Sequence, residues 1–178
     1  VIVPSGLGHA FYDGQGLGCE YTGLKTVAAK VDAVLVIANQ FHALGAAMSI
    51  NKPVILLDQF NDEIVDIESL KQKIIKQRAA AIAKAHDADK IGVIIGLKPG
   101  QTFGSFDYVR KKLEKLGKEY VLISMGEVTN DKLINLYDIG AFVELACPRL
   151  AIDAAALFKK PLLTAREFAV VIGDSTWE

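Results

Sequence analysis

Residues 33–55 read AVLVIANQFHALGAAMSINKPVI, and residues 141–163 read AFVELACPRLAIDAAALFKKPLL. Each opens on an apolar run, passes through a loop into a short alanine-rich stretch, and closes on Lys-Pro and a second apolar run. A shift of 108 positions aligns Ala33 with Ala141, Ala38 with Ala146, and Lys52-Pro53 with Lys160-Pro161, without a gap. Strand, loop, helix and strand is the grammar of parallel βαβ units. Chance matching of short apolar segments is the competing explanation, but the equal spacing of strand and Lys-Pro favours a duplicated α/β unit. Cys147 then corresponds to Asn39, so similar scaffolds carry different chemistry in equivalent loops.

Outward from these two stretches the same pattern continues. Val1–Val3, Ala33–Ile37 and Pro53–Leu57 read as strands, with the continuous apolar character of parallel strands buried on both faces. From Ile67 the apolar positions Leu70, Ile74, Ile82 and Ala85 recur at near-helical spacing and predict a long helix ending near His86 and Asp87. A second series follows: strand Ile91–Ile95, helix Phe106–Leu116 closed by Gly117 as a left-handed cap, and strand Tyr120–Ile123. It continues with a helix opened by Thr129 or Asn130, strand Ala141–Leu145, and a last helix after Thr164. The expected fold class is α/β, with tandem Rossmann-like domains at 1–87 and 88–178 and parallel sheets flanked by helices. Val1 to Pro4 reads as a strand already under way, with no initiating Met, so the chain is expected to be a fragment.

Composition narrows the function. Of 178 residues, 51% are hydrophobic and 23% charged, with a formal net charge of −1. No run of five like charges offers a basic stripe to a phosphate backbone, which argues against nucleic acid. The apolar stretches are too short to span a bilayer, and no cationic start precedes a signal core, so no membrane role and a cytoplasmic location are expected. The two cysteines stand 128 positions apart, which excludes a local zinc knuckle or a CxxC redox pair.

Each cysteine is therefore judged by its own loop. Cys147 lies in Ala146-Cys147-Pro148-Arg149-Leu150, directly after a strand, where open parallel sheets present ligand-binding loops. Pro148 disfavours helical geometry at Cys147, and Arg149 supplies a fixed positive charge that favours thiolate. A small buried hydrophobe is the bland alternative. Cys19 sits in the glycine-dense loop Gly14-Gln15-Gly16-Leu17-Gly18-Cys19-Glu20, ahead of a helix near Thr22. Its glycines permit positive φ and close backbone approach, but their spacing does not match the dinucleotide fingerprint. The run Gly96-Leu97-Lys98-Pro99-Gly100-Gln101 could face an anion with its amides and Lys98, and is equally well explained as a tight turn. His42 follows a strand, as do Asp58 and Asp153; a single histidine is more often structural, and the two aspartates read as caps or structural acceptors.

Taken together these motifs resemble one family, the diphthamide synthase subunits of archaeal type, also called 2-(3-amino-3-carboxypropyl)histidine synthases. The residues that carry the resemblance are Leu17-Gly18-Cys19, Phe41-His42-Ala43-Leu44-Gly45 with Lys52-Pro53, Gly96 to Gln101, and Ala146-Cys147-Pro148-Arg149-Leu150-Ala151-Ile152-Asp153 with Lys160-Pro161-Leu162-Leu163-Thr164. The chain resembles the carboxy-terminal two thirds of such a subunit. The resemblance implies a pseudo-repeat of three α/β domains, each giving one cysteine to a 4Fe-4S cluster that binds S-adenosylmethionine. Cys19 and Cys147 match the cysteines of the second and third domains, so 1–87 and 88–178 are those two domains, the first with its start truncated. The implied reaction is radical transfer of a 3-amino-3-carboxypropyl group from S-adenosylmethionine to a histidine of translation elongation factor 2, by a homodimer. Without the first domain and its cysteine, the chain alone is expected to be inactive. His42, Gln101 and Arg149 are the candidate substrate-binding residues from their loop positions. The two cysteine loops are expected to meet at one cleft. The competing reading is a non-catalytic α/β module that binds a ligand or partner and carries its cysteines incidentally.

Overall fold

The computed structural model describes residues 1–152 and 154–176, which fall into two units dividing between Ile75 and Lys76. Asp153 lies outside the described residues.

In the first unit, helix α1 (Thr22–Val27) leads to strand β1 (Val34–Ile37), helix α2 (Gln40–Ser49) and strand β2 (Val54–Asp58). β1 and β2 are parallel, with Val34 opposite Val54 and Ile37 opposite Leu57. α2 begins where the Asn39 side chain accepts the His42 amide at 3.3 Å, satisfying one of the amides left open in a first helical turn. The helix packs on β2 and buries Ala43, Leu44, Ala46 and Ala47, in the same unit as buried Val54, Leu56 and Ile67. Full burial of a leucine such as Leu44 or Leu56 contributes roughly 2 kcal/mol.

Three expectations are corrected in this unit. Val1–Val3 form no strand and are exposed, because an apolar run becomes a strand only with a ladder partner, and β1 and β2 pair with each other. The sheet is not covered on both faces: Leu35, Ile37 and Ile55 are exposed, since α2 covers only the opposite side. A third strand, β3 (Glu63–Asp66), returns antiparallel to β2. Its turn is set by Asp58, whose carboxylate accepts the amide of Phe60 at 2.9 Å and the side chain of Asn61 at 2.9 Å, while Asp62 takes φ +53°. The Asn61 side chain and the Phe60 amide hold the Asp58 carboxyl below its usual range, as befits the structural acceptor expected there. Helix α3 (Glu68–His86) follows and continues into the second unit.

The second unit is a four-stranded parallel sheet in the order β5-β4-β6-β7, from β4 (Lys90–Gly96), β5 (Glu119–Met125), β6 (Ala141–Glu144) and β7 (Leu162–Thr164). Helix α4 (Phe106–Lys115) joins β4 to β5, α5 (Asn130–Ile134) leads to β6, α6 (Arg149–Ile152) lies between β6 and β7, and α7 (Ala165–Val171) follows β7. Both faces of β4, β6 and β7 are covered, while Val121 and Leu122 of the edge strand β5 are exposed. One core gathers Ile91, Val93, Val143, Leu145 and Leu163 with Val109 and Leu113 of α4 and Phe168 of α7. The other holds Ile94, Phe142 and Leu162 with Leu133, Ile139 and Ala151. The alternation of Val143 and Phe142 between the two cores is the two-residue period of a strand. Gly92 leaves room for the Phe142 ring, which would stand 2.4 Å from any added Cβ.

Helix ends follow local chemistry. Ser105 caps α4 by accepting the Tyr108 amide at 3.3 Å. Gly117 ends it at φ +65°, with Gly117 N–H bonded to the Glu114 carbonyl and Lys118 N–H to the Leu113 carbonyl, both at 3.1 Å. Thr164 opens α7 in a reciprocal capping box with Glu167. The β6–β7 register repeats that of β1–β2: Phe142 lies opposite Leu162 as Val34 lies opposite Val54, each pair twenty residues apart and displaced by 108.

Candidate functional site

In the second unit the chain leaves β4 for β5 on one side of the sheet, while β6 and β7 lie on the other. The carboxyl ends of β4 and β6 therefore flank the point where strand order reverses, the usual ligand crevice of an open α/β sheet. Two sequence-predicted loops meet there. Leu145 N–H bonds to the Ile94 carbonyl at 2.8 Å, and Phe103 N–H, just past the Gly96–Gln101 loop, bonds to the Leu145 carbonyl at 2.9 Å, so the segment after β4 is tied to the strand end that leads into the cysteine loop. Gly96 makes this approach possible. A Cβ there would stand 2.7 Å from the Ala146 Cβ and 3.2 Å from the Gln101 carbonyl oxygen. Gly104, at φ +109°, is closed in by Ala165 at 2.8 Å and Leu145 at 3.0 Å.

Cys147 stands in this crevice as a half-buried thiol. Its carbonyl accepts Leu150 N–H at 3.0 Å, and the Pro148 carbonyl accepts Ile152 N–H at 3.0 Å, which turns the chain into α6 directly after the sulfur. Arg149 is the first residue of α6 and exposed. The structure thus brings Cys147, Gln101 and Arg149 into one region of one unit. Beneath them lies a group that sequence reasoning missed. Glu144, 1% exposed, accepts Ala146 N–H at 2.9 Å. Burial pushes its carboxyl up to about 8, with the neighbouring Glu167 adding to the shift and the Ala146 amide and Arg78 opposing it. Arg78 and Glu167 form a buried bidentate pair at 2.7 and 2.8 Å, and Arg78 also reaches the Leu162 carbonyl at 2.6 Å. A carboxylate inside the apolar run Val143-Glu144-Leu145-Ala146 is the signal that could have found Glu144. A separate pocket of about 240 Å³, with Arg78, Lys84, Phe158 and Lys159 in its wall, is not lined by Cys147, Gln101 or Arg149.

Cys19 belongs to the first unit and is exposed. It is not presented by a strand end, since Val1–Val3 form none; its loop is instead docked on the start of α2. Gly18, at φ +77°, lies flat on the Phe41 ring, whose nearest carbon would stand 2.3 Å from an added Cβ. Two residues beyond Cys19, the Tyr21 hydroxyl donates to the His42 carbonyl at 2.8 Å, across Gly45, where a Cβ would stand 2.3 Å from the hydroxyl oxygen. Burial drives the Tyr21 phenol well above its ordinary range, and the nearby Cys19 sulfur adds to it. The His42 ring is held through Nδ1 against Asn39 Oδ1 at 2.7 Å and stands edge-on to Phe41. Cys19 and His42 thus share one locus, organised by Asn39 and Tyr21. Asn39 carries a readable signal, an N-cap residue after a strand, and Tyr21 carries none.

Chemically, each unit contributes one thiol. Among the described residues no three His, Cys, Asp or Glu side chains are grouped to hold a metal ion. Thiolates supplied singly from separate loops are the ligand type of iron–sulfur clusters.

Comparison with known proteins agrees with this chemistry. The family model described as "Putative diphthamide synthesis protein" matches residues 1–178. The chain is 34% identical over 175 residues to the 2-(3-amino-3-carboxypropyl)histidine synthase of Pyrococcus horikoshii, covering 97% of this chain and 49% of that protein. It is 31% identical over 170 residues to subunit 1 of the human 2-(3-amino-3-carboxypropyl)histidine synthase, covering 93% and 38%. Among solved structures, Dph2 from Pyrococcus horikoshii with a 4Fe-4S cluster superposes with a TM-score of 0.81 at 34% identity, over 99% of this chain and 50% of that one. The chain thus spans about half the length of its archaeal relative rather than two thirds.

Proposed function

We propose, from the premise that this chain belongs to the diphthamide synthesis protein family, that it forms part of an iron–sulfur transferase for the first step of diphthamide biosynthesis. The whole protein transfers a 3-amino-3-carboxypropyl group from S-adenosylmethionine to a histidine of translation elongation factor 2 by a radical mechanism, as a cytoplasmic homodimer. The observation that carries this reading is the Cys147 thiol at the strand-order reversal, on a loop whose Ala146 packs directly on Gly96.

Cys19 and Cys147 supply two of three thiolates to a 4Fe-4S cluster, the third coming from outside these residues. A bound cluster supplies an electron and one open iron for the amino and carboxylate groups of S-adenosylmethionine. The chain's own residues then bind and orient. Arg149 suits the substrate carboxylate, because a guanidinium pairs with a carboxylate through two parallel hydrogen bonds. Gln101 offers an amide to the amino group, and His42, its ring steadied by Asn39, completes the substrate contacts. The matched registers of β1–β2 and β6–β7 support the tandem Rossmann-like pseudo-repeat, with 1–87 and 88–178 as the second and third of three such domains.

The test is anaerobic reconstitution, with iron and sulfide, of a longer chain that also carries the first-domain cysteine, followed by an aminocarboxypropyl transfer assay. The expected result is a brown, oxygen-sensitive protein whose iron content and transfer both collapse in Cys19→Ser and in Cys147→Ser. Full transfer by both variants would instead leave a non-catalytic α/β binding module with incidental cysteines.

A further inference from the structure

Among the described residues four charged side chains are buried: Asp58, Arg78, Glu144 and Glu167. Asp58 closes the β2–β3 turn, and Arg78 and Glu167 hold each other and the start of α7. Glu144 has no such cation of its own in direct contact, and what it serves is a backbone amide. It ends β6, between Ile94 and Thr164 on the neighbouring strands. Beyond it the ladder gives out in two steps. Leu145 N–H still reaches the Ile94 carbonyl, but the next amide, that of Ala146, takes the Glu144 carboxyl at 2.9 Å. Ala146 is 2% exposed, so without that acceptor its N–H would be stranded away from water. From another direction Ala146 is confined by the bare backbone of Gly96. The next residue is Cys147.

The geometry points to Glu144 as a positioning residue for Cys147: by holding the Ala146 amide, it fixes the turn through which β6 hands the chain to the thiol. Packing alone would favour an apolar residue here, as at every other position from Ala141 to Ala146. What the site requires is an acceptor without charge. Burial keeps the carboxyl largely protonated at neutral pH, when it still presents its carbonyl oxygen to Ala146. Glutamine therefore reproduces the working form, and leucine reproduces only the packing. This inference rests on the proposed function only for the ligand role of Cys147.

The experiment uses the 178-residue chain, without iron, in a Cys19→Ser background so that Cys147 alone reports. The rate of Cys147 alkylation by iodoacetamide and the hydrogen exchange of the Ala146 amide are measured in Glu144→Gln and Glu144→Leu, with amide protection at Val93 and Val143 showing that each is folded. Glu144→Gln is expected to stay within about twofold of its parent in both readouts, and Glu144→Leu to change both by about tenfold, the factor that one lost hydrogen bond carries. Glu144→Met is the second apolar variant should leucine prevent folding. Parental rates in the folded apolar variants overturn the inference, and so does a glutamine variant that behaves as they do. The cluster assignment fails by a different result, full iron content in Cys147→Ser of the longer chain.

Discussion

Replacing Arg78 by methionine tests the energetics of the second unit most directly. The guanidinium side chain is 2% exposed and its Glu167 partner 7%, and three hydrogen bonds of 2.6 to 2.8 Å join Arg78 to Glu167 and to the Leu162 carbonyl. Were this a surface ion pair, the loss would be about 0–1 kcal/mol. Here methionine fills much the same volume but strands a carboxylate away from water, with only Thr164 as a partner and Glu144 nearby. A broken buried pair of this kind destabilises by roughly 3–5 kcal/mol. At a urea slope of about 2 kcal/mol per molar, the midpoint falls by roughly 2 M. The double variant Arg78→Met/Glu167→Met removes both charges and should recover most of that loss, leaving a deficit of about 1 kcal/mol from the broken capping box of α7. Urea unfolding followed by circular dichroism, with amide exchange at Phe142 and Leu163 to localise the effect, supplies the measurement. A single-variant loss under about 1 kcal/mol, or a double variant no better than the single one, would refute the reasoning.

The remaining predictions concern the two cysteine loci. Because burial raises the Glu144 carboxyl from 4.5 to about 8, the native state keeps a proton that the unfolded chain releases, so stability falls as pH rises through that window and levels off above it. The total change is on the order of 5 kcal/mol, and urea midpoints measured across the window should show a slope that Glu144→Gln abolishes. In the first unit, Gly45→Ala gains up to about 1 kcal/mol of helix propensity but drives a Cβ to 2.3 Å from the Tyr21 hydroxyl, so overpacking and the lost bond to His42 prevail by about 1–3 kcal/mol. A melting temperature equal to or above the parent's would contradict this; Tyr21→Phe in the same chain should restore part of the loss. Asn39→Ala removes the cap of α2 and the partner of His42, with an expected loss of about 1 kcal/mol in thermal unfolding and a shifted His42 ring resonance in NMR titration.

Much of the architecture is legible in local pattern. The helix from Ile67 to His86, the cap at Gly117, the start at Thr164 and the strands after each Lys-Pro all occur within a residue or two of their expected places. These features depend on neighbours in sequence: apolar spacing sets the period, and single residues close the open amides and carbonyls of helix ends. The candidate loops are legible for a related reason, since a strand followed by Cys-Pro or by glycines announces irregular backbone at a strand end. Val1–Val3 mislead because strand formation requires a partner that an apolar run does not name.

Sequence alone thus determined the α/β class, the order of elements in the second unit, and the two cysteines and the loops that carry them. Tertiary structure alone decided which distant groups meet. Arg78 and Glu167, 89 positions apart, become a buried pair only when α3 and α7 are brought together. Tyr21 reaches the His42 carbonyl only because Gly45 lies flat beneath it, and Glu144 turns inward to the Ala146 amide only where the ladder of β6 ends. The physical reason is that helix caps and strand periods are local interactions written in adjacent residues. Buried charge, close approach and perturbed proton affinity arise from the low-dielectric surroundings that non-adjacent segments build around a group when they pack.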